Sequence, residues 1–244
     1  MAAFFPSLPH IEDCPKRIRT YLGGVCLIDT KKAKLVLSFT IQKPLYFFTK
    51  DDLPPWYLEV DHQDEHRIIY HLLIDSPNSR SAIALHLKGP LAGLLEVKFD
   101  KMDAWFEEEE QIYVHPKDPY KRVDALPSSR HIRIEVGGIE VANTRRPHLL
   151  FETGLPTRYY IPKTDCRMDL WVASPKVTSC PYKGDAHYYN VVLSSGDTFE
   201  NIIWCYSHPT SECAGIKGLV AFFDEKVDMW IDDVKQERPV TKWT

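Results

Sequence analysis

The sequence predicts a mainly β protein: two tandem copies of a small antiparallel β barrel or sandwich-like domain with little helix. Three observations lead there. Short apolar or alternating runs, punctuated by 18 prolines and 11 glycines, recur along the 244 residues. No stretch sustains a helical period beyond one turn. The first half of the chain is answered by the second at a nearly fixed spacing, which marks an internal repeat.

The repeat opens with RIRTYLGGVCLIDTKKAKLVL from Arg17, answered by HIRIEVGGIEVANTRRPHLLF from His131 at an offset of 114. At that offset Ile18, Arg19, Gly23, Gly24, Thr30, Leu35, Tyr46 and Asp51 fall on Ile132, Arg133, Gly137, Gly138, Thr144, Leu149, Tyr160 and Asp165. The copies end alike too. GLLEVKFDKMDAWFE from Gly93 lies over GLVAFFDEKVDMWID from Gly218 at an offset of 125, pairing Asp103 with Asp228 and Trp105 with Trp230. The difference between the offsets gives the second copy about eleven extra residues in its middle. The predicted domains are 15–124, a first β domain with a charged linker, and 125–244, a second β domain.

Each copy is expected to open as a hairpin, because Gly23-Gly24 and Gly137-Gly138 supply the positive φ angles of a two-residue primed turn. Further strands are predicted at Leu35–Thr40, Leu45–Thr49, Arg67–Ile74, Ala82–Leu87 and Leu94–Phe99 in the first copy. In the second they are predicted at His148–Phe151, Arg158–Ile161, Ala186–Leu193, Phe199–Tyr206, Leu219–Phe223 and Asp228–Ile231. One-turn helices are expected at Lys163–Met168 and Ser211–Lys217. Glu107–Arg130 is charged and contains proline, which suits a linker or belt between the copies.

Composition narrows the function classes. With 30 basic and 34 acidic residues and a net charge of −4, the chain lacks the electrostatic footprint of a phosphate-tracking protein, so no nucleic-acid partner is expected. The longest apolar runs are strand-sized, so no membrane partner is expected either. The N-terminal patch is broken by Pro6 and Pro9 and has no basic lead-in, unlike a signal peptide, which predicts a cytoplasmic protein. The six cysteines then read as thiols, and without a CxxC pair they do not form a zinc knuckle.

The second copy holds the residues with chemistry. From Arg145 it runs RRPHLLFETGLPTRYYIPKTDCRMDL and later CPYKGDAHYY, more polar and aromatic than a β wall requires. These two runs resemble the family catalogued as domain of unknown function 427, which also carries a nucleotidyltransferase-like label. The resemblance covers roughly 130–230 and implies a tandem member whose second copy is close to the family pattern and whose first copy is diverged. It further implies a small antiparallel β fold whose matched residues surround one pocket, and it names no reaction. The chain has no Gly-Ser helix start followed by paired aspartates, as metal-dependent nucleotidyl transfer uses, nor a Gly-rich phosphate loop.

Within those runs Cys180, Lys183 and Glu152 are the candidate catalytic residues. A thiolate is a strong nucleophile, and Lys183 beside it would raise the reactive fraction. A buried packing cysteine is the alternative. Lys183 equally suits contact with an anion or carbonyl. Glu152 ends the apolar run HLLF, where a partly desolvated carboxylate serves as acid or base; a structural ion pair with Arg146 or Arg158 is the alternative. Arg158, Tyr159, Tyr160, Tyr182, Arg146 and His187 are the candidate substrate-binding residues, with His187 weighed also as a base for Cys180. Of the two adjacent tyrosines only one can face a given pocket. Cys205, His208 and Cys213 are too irregularly spaced for a metal set, and neither metal nor cofactor is expected. The first copy lacks counterparts of Cys180, Tyr182 and Lys183, and Glu152 falls on Ser38.

The expected activity is that of a cofactor-independent enzyme acting on a small molecule bearing a carbonyl, carboxylate or phenol, by acid/base or nucleophilic chemistry in a second-domain pocket. A non-catalytic module binding a small molecule or peptide is the second reading. Nucleotidyl transfer ranks last. The oligomeric state is left open.

Overall fold

The computed structural model describes residues 9–37 and 43–241. The chain divides into two compact units, Met1–Asp118 and Pro119–Thr244. Ser38 and the end of the predicted strand Leu35–Thr40 lie outside the described residues.

The first unit holds β1 (His10–Asp13), β2 (Ile18–Leu22), β3 (Val25–Thr30), β4 (Lys34–Leu37), β5 (Leu45–Phe48), β6 (Leu58–Gln63), β7 (Arg67–Leu72), β8 (Ile83–His86), β9 (Leu95–Val97), β10 (Ala104–Glu107) and β11 (Glu110–Ile112). The second holds β12 (Val123–Pro127), β13 (Ile132–Val136), β14 (Ile139–Thr144), β15 (His148–Glu152), β16 (Arg158–Ile161), β17 (Trp171–Cys180), β18 (Gly184–Val192), β19 (Thr198–Tyr206), β20 (Val220–Phe222), β21 (Asp228–Ile231) and β22 (Val234–Lys235). The first unit's sheets run β1-β4-β5-β9-β8-β7-β6 and β11-β10-β2-β3; the second unit's run β12-β15-β16-β20-β19-β18-β17 and β22-β21-β13-β14. The two topologies agree strand for strand, with every ladder antiparallel. The sheets are open, so the architecture is sandwich-like and no barrel closes.

Alternation builds each core. Ile18 and Leu22 of β2 meet Tyr46, Phe48, Leu85 and Leu95 of the seven-stranded sheet; Ile132 and Ile134 of β13 meet Ile161, Ile203, Val220 and Phe222 in the second unit. Burying such side chains stabilises by about 1.5–3 kcal/mol each. The Gly-Gly turns stand as read. Leu22 pairs with Val25 and Val136 with Ile139, and all four glycines have positive φ, from +56° to +79°. The helical candidates are short 3-10 turns at Lys163–Asp165, Met168–Leu170 and Ser211–Ile216. Among the described residues no helix is long and apolar enough to cross a membrane.

Three sequence readings are corrected. Glu107–Arg130 is not all connection: it contains β11 and β12, edge strands whose charged, half-exposed residues hide the period-2 signal. Tyr160 is not the counterpart of Tyr46. Leu35 pairs with Tyr46, whereas Leu149 pairs with Tyr159, so Tyr159 answers Tyr46 and Tyr160 answers Phe47. Trp230 is likewise displaced from Trp105. Trp105 lies opposite Thr20 and Trp230 opposite Arg133, which is itself the counterpart of Arg19, the partner of Phe106. Arg133 covers the Trp230 ring at 3.8 Å as Arg19 covers Phe106 at 5.1 Å. A one-residue slip turns a side chain to the opposite face, so identity at a fixed offset misassigned both pairs.

Two places account for most of the added length. Between the ladder pair Val60/Tyr70 and its counterpart Ala173/Tyr189, the second hairpin is six residues longer, 174–188 against 61–69. Between Leu85/Leu95 and Cys205/Val220 the second connection is five residues longer, 206–219 against 86–94.

Candidate functional site

The longer hairpin extends β17 and β18 within the seven-stranded sheet, and the longer connection packs Cys213 and Ile216 on the face of that sheet opposite Ile161, Ile203 and Val220. The longer hairpin ends in the turn Cys180–Gly184, where Cys180 pairs with Gly184. The longer connection folds over that turn. Thr210 donates its N–H to the Lys183 carbonyl at 3.3 Å and its hydroxyl to the Tyr182 carbonyl at 2.6 Å, and the Cys213 thiol also donates to Tyr182 O at 3.4 Å. Gly184 is required here: its φ is +93°, and a Cβ would stand 2.9 Å from the His208 carbonyl oxygen.

The turn delivers Lys183 to Glu152. Glu152 ends β15 with its side chain only 4% exposed; Lys183 Nζ bonds one carboxylate oxygen and Lys121 Nζ the other, the latter at 2.6 Å. Burial works to raise the Glu152 carboxyl, but the two ammonium groups outweigh it and leave it below its usual range. Glu152 is therefore ionised at neutral pH, a proton acceptor rather than a donor. One carboxylate against two ammonium groups leaves the group with a surplus positive charge. Lys121 also lies over the Tyr182 ring at 4.9 Å.

Beside this triad lies an aromatic cluster that the first unit does not have. Ladder pairing places Tyr160, Tyr188, Trp204 and Tyr206 where the first unit has Phe47, Ile69, Ala84 and His86. Trp204 Nε1 donates to the buried Tyr160 hydroxyl at 3.1 Å, and the Tyr188 and Thr178 hydroxyls are bonded at 2.8 Å. Burial pushes the Tyr160 and Tyr206 hydroxyls far up, with Cys180 and Glu152 near enough to push both the same way. The Cys180 thiol is half-buried and near enough to Tyr160, Tyr206 and Cys213 to act on each electrostatically.

Cys180, Lys183, Glu152, Tyr160 and Tyr182 thus converge. The remaining predicted residues do not join them. Arg158 only borders the cluster: its guanidinium lies over the Trp204 ring at 5.6 Å, and it is held in a buried bidentate ion pair with Glu225, at 2.6 and 2.9 Å, with Asp224 at 3.3 Å. Tyr159 faces the interior between the sheets. Arg146 forms an exposed pair with Asp165, at 2.7 and 3.1 Å, which holds the Asp165 carboxyl well below its usual range. The ion pair weighed for Glu152 is made with lysines, not with Arg146 or Arg158. His187 is exposed and alternates to the face opposite Ala186 and Tyr188, away from Cys180. Among the described residues, no three His, Cys, Asp or Glu side chains gather as a metal set.

Three participants escaped the sequence reading. Lys121 lay inside the stretch read as a linker. Trp204 and Tyr206 read as one more apolar strand, and only ladder pairing shows that their unit-one positions hold Ala84 and His86. No curated protein matches the chain. Residues 124–233, which include every member of this cluster except Lys121, match the family described as Domain of unknown function (DUF427).

Proposed function

We propose that the second unit is a cofactor-independent enzyme acting on a small organic molecule that bears a carboxylate, carbonyl or phenol. The observation that carries this reading is the meeting of both second-unit insertions at one buried carboxylate held by two lysines, with a thiol and phenols beside it. In this scheme the surplus positive charge of Lys121 and Lys183 holds the substrate's anionic or carbonyl oxygen. Glu152, kept ionised by the same lysines, takes the substrate proton, and Cys180 or a phenol is the second reacting group. The first unit serves as a diverged, unarmed copy, since its counterpart positions hold Phe47, Ile69, Ala84 and His86.

A binding module is favoured by one feature: both Glu152 oxygens are occupied and the Tyr160 hydroxyl is engaged, as a static pocket wall requires. Nucleotidyl transfer has no comparable support. Six thiols support a reducing, cytoplasmic setting, with a small molecule rather than nucleic acid or membrane as partner.

The test is a thermal-shift and turnover screen of aromatic and aliphatic carboxylates, carbonyl compounds, phenols and nucleotides, with Glu152→Gln and Lys183→Ala in parallel. Stabilisation of the wild type by one class, lost in Lys183→Ala, together with turnover lost in Glu152→Gln, supports the enzyme. Binding without turnover selects the module. A shift by nucleotides alone overturns both.

A further inference from the structure

On the opposite face of β16, away from Glu152, the second unit has a cleft of about 190 Å³ between Tyr159, Asp224, Met229, Ile231, Pro156 and Arg238. In the first unit the corresponding place is filled. Counting on from the matched pairs Ile83/Val97 and Ile203/Phe222, Phe99 stands where Asp224 stands. By ladder pairing, Trp105 stands where Met229 does, and Tyr46 where Tyr159 does. There Phe99 stacks on Trp105 with centroids 4.9 Å apart and planes 4° apart, Tyr46 stacks beside them at 6.3 Å, and the Tyr46 hydroxyl donates to Glu107 at 2.8 Å. The second unit has exchanged two of these three rings for a carboxylate and a thioether, and Glu107 for Ile231, which leaves a slot where flat rings were.

Among the polar residues that line the slot, Asp224 is the buried carboxylate. Asp224 is 8% exposed, and its Oδ1 is buried without a hydrogen-bond partner among the described residues. A buried acceptor left unpaired costs about 1–3 kcal/mol, more for a charged group, so its persistence calls for an account. Of the cations nearby, Arg158 grips Glu225 with two bonds and stands 3.3 Å from Asp224 Oδ2, and Arg238 bonds Asp228 at 3.0 Å. The other ionisable groups facing the cleft are Tyr159 from β16 and Glu237 on the rim. Neither offers a cation.

We propose that this cleft is a second ligand site, which takes a flat aromatic or heteroaromatic molecule carrying an ammonium or N–H donor. The ring lies against Tyr159, Met229 and Ile231 in place of the missing Phe and Trp, and the nitrogen donates to the Asp224 carboxylate. The site shares no side chain with the Glu152 cluster and stands whether or not that cluster is catalytic.

The test is calorimetric or NMR titration at pH 8 with benzylamine, using benzyl alcohol and benzoate as neutral and anionic controls. Wild type should bind benzylamine at least about 10-fold tighter than either control. Asp224→Asn should abolish that preference. Met229→Trp, which restores a first-unit ring, should weaken all binding by about 10-fold or more, and Lys183→Ala should bind as wild type does. Should Met229→Trp not fold, Asp224→Asn alone decides. Equal affinity for the three probes, no binding below about 10 mM, or unchanged binding in Asp224→Asn would overturn the assignment.

Discussion

Replacing Asp224 by asparagine should stabilise the protein by an amount that grows as pH rises from about 4 to about 7. Burial is the main cause that pushes the Asp224 carboxyl from 3.8 up to about 7, with Arg158 opposing and Glu225 adding to the rise. A group whose folded pKa is raised holds its proton more tightly in the folded state. Its stabilising contribution is therefore complete below about pH 4 and disappears as pH climbs through about 7. At about 1.4 kcal/mol per unit the full swing is about 4 kcal/mol, and about 2–4 kcal/mol is the realistic range once relaxation of the cleft is allowed. Asparagine keeps the shape and an oxygen for Arg158 but carries no charge to desolvate. Urea unfolding of wild type and Asp224→Asn at half-unit steps from about pH 3.5 to 8.5 reads the effect directly. The two curves should nearly coincide at about pH 3.5, separate progressively up to about pH 7 and run parallel above it. A flat difference, or a variant that is weaker at pH 8, would refute a buried, proton-holding Asp224.

Other outcomes follow from the same contacts. Lys183→Met removes one of the two ammonium partners of Glu152, so it should cost about 2 kcal/mol at pH 7. Because the wild-type carboxyl is lowered, its contribution is present above the unfolded value of 4.5 and is lost as pH falls below it; the deficit should shrink in acid, as acid unfolding curves would record. Tyr160→Phe strands the buried Trp204 N–H and should cost about 1–3 kcal/mol in chemical denaturation, with a shift in tryptophan emission. Gly184→Ala meets both positive φ and the His208 carbonyl, so it should destabilise by more than about 1 kcal/mol. Hydrogen exchange should locate that loss at 180–184 and 207–219.

The duplication was legible because its opening hairpins are pinned by Gly-Gly turns that admit few alternatives, and residues 17–30 and 131–144 therefore stay in step. The edge strands were not. Leu58–Gln63 and Glu110–Ile112 pair on one side only and expose much of their length, so no apolar alternation selects them. At the site, Glu152, Lys183 and Tyr182 stood out by local chemistry, but Lys121 did not: a lysine in a charged stretch carries no sign that it will close over a carboxylate 31 residues on. Asp224 was equally silent. FFDEKVD reads as a polar turn, and only the ladder shows that its aspartate occupies a phenylalanine's place.

The single-residue slips are what separate the two copies chemically. β5 and β16 keep the same position in their sheets but are threaded one residue apart relative to the 114 offset, and β10 and β21 are displaced by one residue from the 125 offset. Side chains at the conserved-looking letters therefore point in opposite directions, and each face of the second sheet was free to take a different composition. The inner face gave up its stacked rings around Trp105 for Met229 and Asp224, while the outer face acquired Tyr160, Tyr206 and a lysine-held carboxylate. A sandwich tolerates this because its ladders depend on backbone pairing and its core needs only one well-packed layer, here Ile132, Ile134, Ile161 and Phe222. Surface chemistry on either side of that layer can then change independently. Refilling the inner slot by Met229→Trp should therefore leave ligand binding and turnover at the Glu152 side unchanged. Coupled loss at both faces would mean that the sheet transmits strain and that the two sites are one system.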